Sequence, residues 1–531
     1  MKKYVLITAL TASMAAHAQD LSTEVVVDRT VSPVENIATR PGTLTPVIIL
    51  PQSSAPELSP QIYTGLSAIT RVFDPFTPLG GSMCATPTPY RGYLSAAYGP
   101  LLSTDIRAGY RFVQSQALTA GAALSFASES YHAFQPGDYD RNRYGDGKVR
   151  GYLSWSPDSL SALNVAIDGR FLSTGTAYRP GTPAQNGKLD VLWKSQASRI
   201  AYGAAALVEL DRISRSNQTA YDASAFGAYV FRPGMLLGLD INGRGMVTDG
   251  SDKLYAVTAT PFFSFAGRNI YTRVGVGFEE SGEDGSRHSS AINKFHITPQ
   301  FELRARMSSY SGIWMCVSSG TIMNSRNQLR DYSIFVQPKT IENENSYLNV
   351  MAEGGLTFGP ASGFSIDIFG GYASAKNWNM IAFDSFIQSD IKGWHIGANL
   401  KYTSRLIDAH ACIDAAPRSG DSKNYWVGNP DAATLKIDAA VDVTPIDRLT
   451  IGATYKYTGG RDIIFGHWDG LITDFPDGEK ISDLGLRAQY RLNDAISFQG
   501  TLRNILNQKN YIFYNVPAQG INGLVGVTYK F

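Results

Sequence analysis

The sequence predicts an all-β fold, a transmembrane antiparallel β-barrel of about twenty-two strands preceded by an irregular amino-terminal arm. Three observations predict it. The chain ends in a strand-patterned segment, residues 521–531, that closes on an aromatic, Phe531. Alternation of apolar and polar residues with period two recurs from about Tyr90 onward, and no apolar run approaches the length a spanning helix needs.

Taken in chain order, the first element is a targeting segment. Lys2 and Lys3 form a basic start, Tyr4 to Ala12 an apolar stretch too short to cross a bilayer, and Ala16-His17-Ala18 a cleavage site. Residues 1–18 are therefore expected to be a signal peptide, and no cysteine near the cut suggests a lipid anchor.

Residues 19–89 are expected to be a proline-rich arm: ten of the protein's 25 prolines lie between Val31 and Pro89, Pro51, Pro56 and Pro60 among them. Proline removes ladder donors and fixes an extended backbone, so this stretch resists a regular sheet. Its strand-like pieces are Glu24-Val25-Val26-Val27 and Val47-Ile48-Ile49-Leu50. A plain disordered leader is the alternative.

Residues 90–531 read as the barrel. Leu163, Val165, Ile167 and Phe171 alternate with Asn164, Ala166, Asp168 and Arg170, and Leu237, Leu239 and Ile241 with Gly238, Asp240 and Asn242. Side chains alternate across a strand, so one face suits hydrocarbon and the other water. Connections such as Arg232-Pro233-Gly234 and Pro445 to Arg448 are tight, whereas Phe134 to Gly147, Glu279 to Asn293, Arg418 to Ala432 and Gly459 to Lys480 are long and polar. Short turns on one side and long loops on the other are the periplasmic and extracellular ends of an outer-membrane barrel. In the last strand Phe531, Tyr529 and Val527 share a face, and a strand that closes on an aromatic is the expected signal for the barrel-assembly machinery. The surroundings expected are outer-membrane lipid.

Composition narrows function. With 28 Tyr and 51 Gly spread along the chain, tyrosine sits where strands cross the headgroup level. Removing Lys2 and Lys3 from 47 basic residues leaves 45 against 46 acidic ones, which gives no electrostatic footprint for nucleic acid. Cys84, Cys316 and Cys412 are too few and too scattered for a disulfide framework or metal site, although one bridge fits an oxidising periplasm. Nothing matches a G-x-S-x-G, an H-E-x-x-H or a phosphate-binding glycine loop, so no catalytic residue, metal ligand or cofactor is assigned and no enzyme is expected. His467-Trp468-Asp469 sets an acid beside a base without a nucleophile motif. The run Asp138, Asp140, Asn142, Asp146 starts like a calcium loop, but Arg143 stands where the turn needs Gly and Val149 where a bidentate Glu belongs.

The inward face carries Arg170, Arg244, Arg273, Arg304, Arg487, Arg491 and Arg503, among acidic residues such as Asp168, Asp240, Glu302 and Asp442. Two readings stand: a charged wall that passes or binds polar solutes, or charges that solvate the interior and pair across strands.

Just before the last strand, Asn504-Ile505-Leu506-Asn507-Gln508-Lys509-Asn510-Tyr511 resembles the penultimate-strand motif of TonB-dependent receptors, with Asn504, Leu506, Asn507 and Tyr511 in the motif positions and one extra residue before the tyrosine. The match is close over about the last fifty residues. The resemblance implies an outer-membrane transport conduit or receptor for an unidentified solute. It also implies that Glu24, Val25, Val26 and Val27 are a TonB-box-like segment contacting TonB or another periplasmic protein. Too little chain separates that segment from the barrel for a full plug, which leaves coupled uptake open. A non-transporting barrel serving as a structural or interaction platform is the alternative.

Overall fold

The computed structural model describes residues 90–531, apart from 133–140, 285–294, 333–344, 418–424, 428–432, 462–479 and scattered positions in turns and loops. The expected signal segment, the arm, Glu24 to Val27, Cys84 and His467 to Asp469 lie outside the described residues.

Twenty-two strands form one closed antiparallel sheet. In chain order they begin β1 (Gly92–Tyr98), β2 (Thr104–Gln114), β3 (Leu118–His132), β4 (Arg141–Asp158), β5 (Ser161–Thr176), β6 (Arg179–Ala197), β7 (Ile200–Ile213) and β8 (Ser216–Arg232). There follow β9 (Met235–Thr248), β10 (Lys253–Ala266), β11 (Ile270–Asp284), β12 (Phe295–Arg306), β13 (Ser311–Ile322), a short helix α1 (Arg326–Tyr332), β14 (Ser346–Ala361), β15 (Phe364–Ala382) and β16 (Ser385–Thr403). The wall ends with β17 (Ile407–Ala415), β18 (Leu435–Ile446), β19 (Leu449–Gly459), β20 (Ile481–Arg491), β21 (Ile496–Arg503) and β24 (Asn522–Lys530). The remaining pair, β22 (Tyr511–Phe513) and β23 (Val516–Pro517), is a hairpin within the last loop.

Each strand pairs with its sequence neighbour, and closure comes from β24, which lies between β21 and β1 with Tyr93 opposite Lys530 and Tyr98 opposite Val525. The carboxyl-terminal residue completes the seam: Arg91 N and Gly92 N both donate to Phe531 O at 2.9 Å, and Phe531 N donates to Gly92 O at 3.0 Å. A closed sheet leaves no unpaired edge, which hydrocarbon would penalise. Glycine at 92 lets the terminal ring lie close over the seam, because a Cβ there would stand 2.6 Å from the Phe531 ring and push it aside.

The two faces separate as the alternation predicts. Val525, Val527, Tyr529 and Phe531 are exposed on the outside, as are Leu237, Leu239 and Ile241 on β9 and Val274, Val276 and Phe278 on β11. Aromatics collect at the short-turn end, where Phe531 stacks on Tyr110 at 6.2 Å and on Tyr529 at 5.7 Å. Inside, polar contacts cross the strands, such as Ser95 Oγ to Thr528 Oγ1 at 2.8 Å. Apolar outside and polar inside is the arrangement of a barrel in a membrane.

Every connection after an even-numbered strand from β2 to β20 is short, and the long ones, the helix-bearing one between β13 and β14 included, all fall at the opposite end. Two loop boundaries move. Residues 141–147 belong to β4 and residues 279–284 to β11, because their hairpins continue as paired sheet above the apolar band, Asp146 opposite Leu172 and Asp284 opposite Lys253. Asp146, the last member of the calcium-like run, is held there by Arg170 and Lys148.

Candidate functional site

The lumen is the only large polar interior that the wall encloses among the described residues, and two long loops fold into it. The first joins β13 to β14. Its entry is fixed by Glu279 of β11, whose Oε1 accepts from Thr321 N at 2.8 Å and Thr321 Oγ1 at 2.6 Å, while Oε2 accepts from Thr258 Oγ1 at 2.9 Å. Arg244 Nη1 donates to Thr321 O at 2.8 Å. Met323 then packs on an apolar pad of Ala220, Met246, Leu254 and Ala256 on the inner wall.

Helix α1 starts at a capping box written in Ser325-Arg326-Asn327-Gln328. Gln328 N donates to Ser325 Oγ at 3.3 Å and Ser325 N to Gln328 Oε1 at 3.2 Å, satisfying two amides that the first turn leaves open. The helix docks on β7 and β8. Ser325 Oγ donates to Glu209 Oε1 at 3.0 Å and Asn327 Nδ2 to Glu209 Oε2 at 3.3 Å. Arg326 N donates to Gln218 Oε1 and Arg326 Nη2 to Ser216 Oγ, both at 2.8 Å, and Arg330 forms an ion pair with Asp211. Leu329 is 1% exposed.

The second inward loop joins β17 to β18. Val427 and Tyr425 pack on a cluster of Leu348, Met351, Ala373, Trp378, Met380 and Ile391 on the inner wall of β14 to β16, and Tyr425 N donates to Lys392 O at 3.1 Å.

Below that cluster is a charged group. His395 on β16 has Nε2 3.1 Å from Glu353 Oε1 and Nδ1 2.9 Å from Asp414 Oδ1, all three buried. Gly371 lies between, and a Cβ there would come 2.7 Å from Glu353 Cγ and 3.0 Å from His395 Nε2. No group of His, Cys, Asp and Glu among the described residues has a metal-holding arrangement. Cys316 is a free thiol.

The arginines read as inward-facing are placed as follows. Arg170 makes a two-pronged pair with Asp146, Nε to Oδ1 at 2.9 Å and Nη2 to Oδ2 at 3.0 Å. Arg273 pairs with Asp240 and lies 3.8 Å over the Phe262 ring. Arg487 Nε donates to Asp442 Oδ1 at 2.8 Å, Arg304 meets Glu302 at 2.6 Å, and Arg503 stands 3.6 Å from Glu129. Arg244 holds Asn242 and the Thr321 carbonyl. Arg491 sits at the short-turn rim, where it is exposed and donates to Asp447 O. Pairing across strands thus engages Arg170, Arg273, Arg487 and Arg503, two-pronged at Arg170 and Arg487.

The Asn504 to Tyr511 motif lies at the long-loop rim. Asn504 and Asn507 take left-handed backbone angles, φ 47° and 49°, which asparagine tolerates. Buried Asn504 donates through Nδ2 to Gln508 O at 2.8 Å and Gln519 O at 2.9 Å, and accepts from Gln508 N at 2.9 Å. Asn507 Oδ1 accepts from Ile521 N at 3.3 Å, Leu506 is exposed, and Tyr511 begins β22. These contacts fold the last loop onto itself.

Sequence reasoning missed the β13–β14 loop, its helix and the His395 group. The capping box was the available signal for the helix; the His395 group depends on strand register alone.

No protein-family model and no curated protein matches the sequence. Solved structures match in fold. A mutant of the ferric enterobactin receptor PfeA from Pseudomonas aeruginosa aligns with a TM-score of 0.59 and 10% identity over 83% of this chain and 80% of that one. The siderophore receptor PirA from Acinetobacter baumannii gives 0.60 and 9% over 83% and 80%. The FrpB iron transporter from Neisseria meningitidis gives 0.61 and 10% over 84% and 83%. In fold, then, the chain is a twenty-two-stranded β-barrel like those of these receptors and transporters.

Proposed function

We propose that the chain is a transport conduit or receptor for a polar solute, with the lumen as its path and with the inward loops and the arm at residues 19–89 controlling its opening. The observation that supports this best is the interior, a polar wall entered from the long-loop end by two loops that have their own docking sites. A barrel of about eighteen strands already leaves an aqueous lumen, so one of this size needs something inside to limit flow. The structural neighbours are named as receptors and transporters of siderophores, iron and copper, which makes metal-bearing polar solutes the first to try.

The test is single-channel recording on the full chain and on a chain lacking residues 19–89. Conductance that rises on removal of the arm supports arm control; equal, negligible conductance in both counts against it. A stoichiometric protein partner recovered by cross-linking, without solute flux, would favour the platform instead.

Coupling through Glu24 to Val27 to TonB or another periplasmic protein is dispensable in this reading, since the arm is short for the plug that such a segment anchors. Val26→Pro removes a backbone donor needed for strand pairing. Unchanged uptake is expected. Loss of uptake at normal barrel levels would make the segment a working TonB box.

A further inference from the structure

We propose that Glu209 and Asp211 on β7 form a binding pocket for a guanidinium or primary ammonium group of a solute, filled in this structure by the chain's own Arg330, and that such a solute opens the passage by replacing it. The inference rests on the lumen being a solute path.

The contacts between wall and helix run in one direction at this pocket. The wall presents carboxylates, Glu209 at 1% and Asp211 at 3% exposure, and the loop presents donors: Ser325 Oγ, Asn327 Nδ2 and the Arg330 guanidinium, whose residue is 2% exposed. Withdrawing Arg330 alone would leave a buried carboxylate uncompensated, which is strongly unfavourable. A cationic solute restores the compensation, a neutral one does not, and an anion worsens the loss. Exchange therefore selects cations.

Neighbouring charges on the inner face include Lys188 on β6, directly opposite Glu209 with Asp190 beside it, and the facing pair Asp222 on β8 and Arg244 on β9. Lys188 stands 3.7 Å from Asp190, and Arg244 is held by Asn242 and Thr321, so both wall cations are engaged elsewhere. Docking is also incomplete. Asn186, directly opposite Asp211 on β6, has its side-chain nitrogen buried without a hydrogen-bond partner, as has Arg326 Nε. Unmet buried donors weaken the closed arrangement. A solute bearing an oxygen acceptor beside its cation would satisfy Asn186 where the loop does not.

L-arginine is the matching probe and L-glutamate its control. In planar bilayers, L-arginine added at the long-loop side of the full chain should raise open probability on the order of tenfold, the shift of a ligand with that preference for the open state. L-glutamate should not. Asp211→Asn should abolish the response, Arg330→Gln should open the channel without arginine, and Arg330→Lys should keep it closed and responsive. Calorimetric titration of L-arginine into the detergent-solubilised protein gives a second readout, lost in Asp211→Asn at unchanged heat-modifiable migration. Equal responses to both probes, or arginine binding unaffected by Asp211→Asn, would overturn the proposal. A chain that never conducts yet binds arginine through Asp211 would refute the conduit and leave the pocket standing.

Discussion

The last loop, around Asn504, and the lumen loop that carries α1 are both long segments fixed at the rim of a barrel, but they draw their partners from different distances along the chain. The side chain of Asn504 is bonded to Gln508 and Gln519, and that of Asn507 to Ile521, all within the same loop. Ser325, Asn327 and Arg330 reach instead to Glu209 and Asp211, more than a hundred residues earlier. The Asn504 turn is shaped by its own side chains and then tied to the rim, Asn504 N donating to Asp483 Oδ1 of β20 at 2.7 Å and Gln519 Nε2 to Ser130 O of β3 at 2.6 Å, whereas the lumen loop takes its carboxylate partners from β7. A self-locked loop serves closure of the sheet; a loop locked to the wall by separable contacts can be released without harming the sheet.

The largest break in this contrast should come at the seam beside the self-locked loop. Phe531→Asp puts a charge into the aromatic contact with Tyr110 and Tyr529 and is expected to abolish most assembly, read as loss of the heat-modifiable band; Lys530→Asp should leave most of it. Assembly equal in the two variants would remove the special role given to the terminal aromatic.

Leu329→Ala tests the other side. Truncating a side chain this buried should weaken helix docking by about 2–5 kcal/mol while the wall stays closed. Hydrogen exchange of the α1 amides should accelerate by on the order of a hundredfold with exchange in β7 and β8 unchanged; parallel acceleration of β7 and β8 would mean that the loop is part of the wall's stability.

Asn504→Ala should cost about 1–3 kcal/mol by leaving buried carbonyl and amide groups unpaired, loosening residues 504–521 and sparing the lumen loop. Exchange rates measured in both loops decide it. The smallest effect is expected at Gln328→Ala, which leaves Ser325 N without its acceptor for about 1 kcal/mol and should shift α1 exchange only a few-fold.

The same difference in distance explains what the sequence disclosed. Alternation is local, so the strands, the segregation of short and long connections and the seam between β24 and β1 were all legible. The motif at Asn504 was legible because its side-chain partners, Gln508 and Gln519, sit within the loop. The region between β13 and β14 was not, because nothing near Arg326 and Arg330 names Asp211 or Gln218 as its counterpart; only the Ser325 to Gln328 cap was written locally. For the inward arginines, period two supplies the face but not the partner. Asp146, opposite Ala127 and Leu172 and paired with Arg170, emerges from register, as does His395 between Glu353 and Asp414.

The tall hairpins have a consequence for survival outside the cell. Strands β5 and β6 hold 16 and 19 residues, and β15 and β16 hold 19 each. At about 3.3 Å per residue and the usual tilt, nineteen residues rise roughly 45 Å, against an apolar band of about 25 Å. The excess stands above the bilayer as paired sheet, joined by only two residues between β5 and β6 and between β15 and β16. A protease needs an unpaired stretch of backbone to enter its cleft, and this palisade offers little. Digestion of intact cells should therefore spare these hairpins.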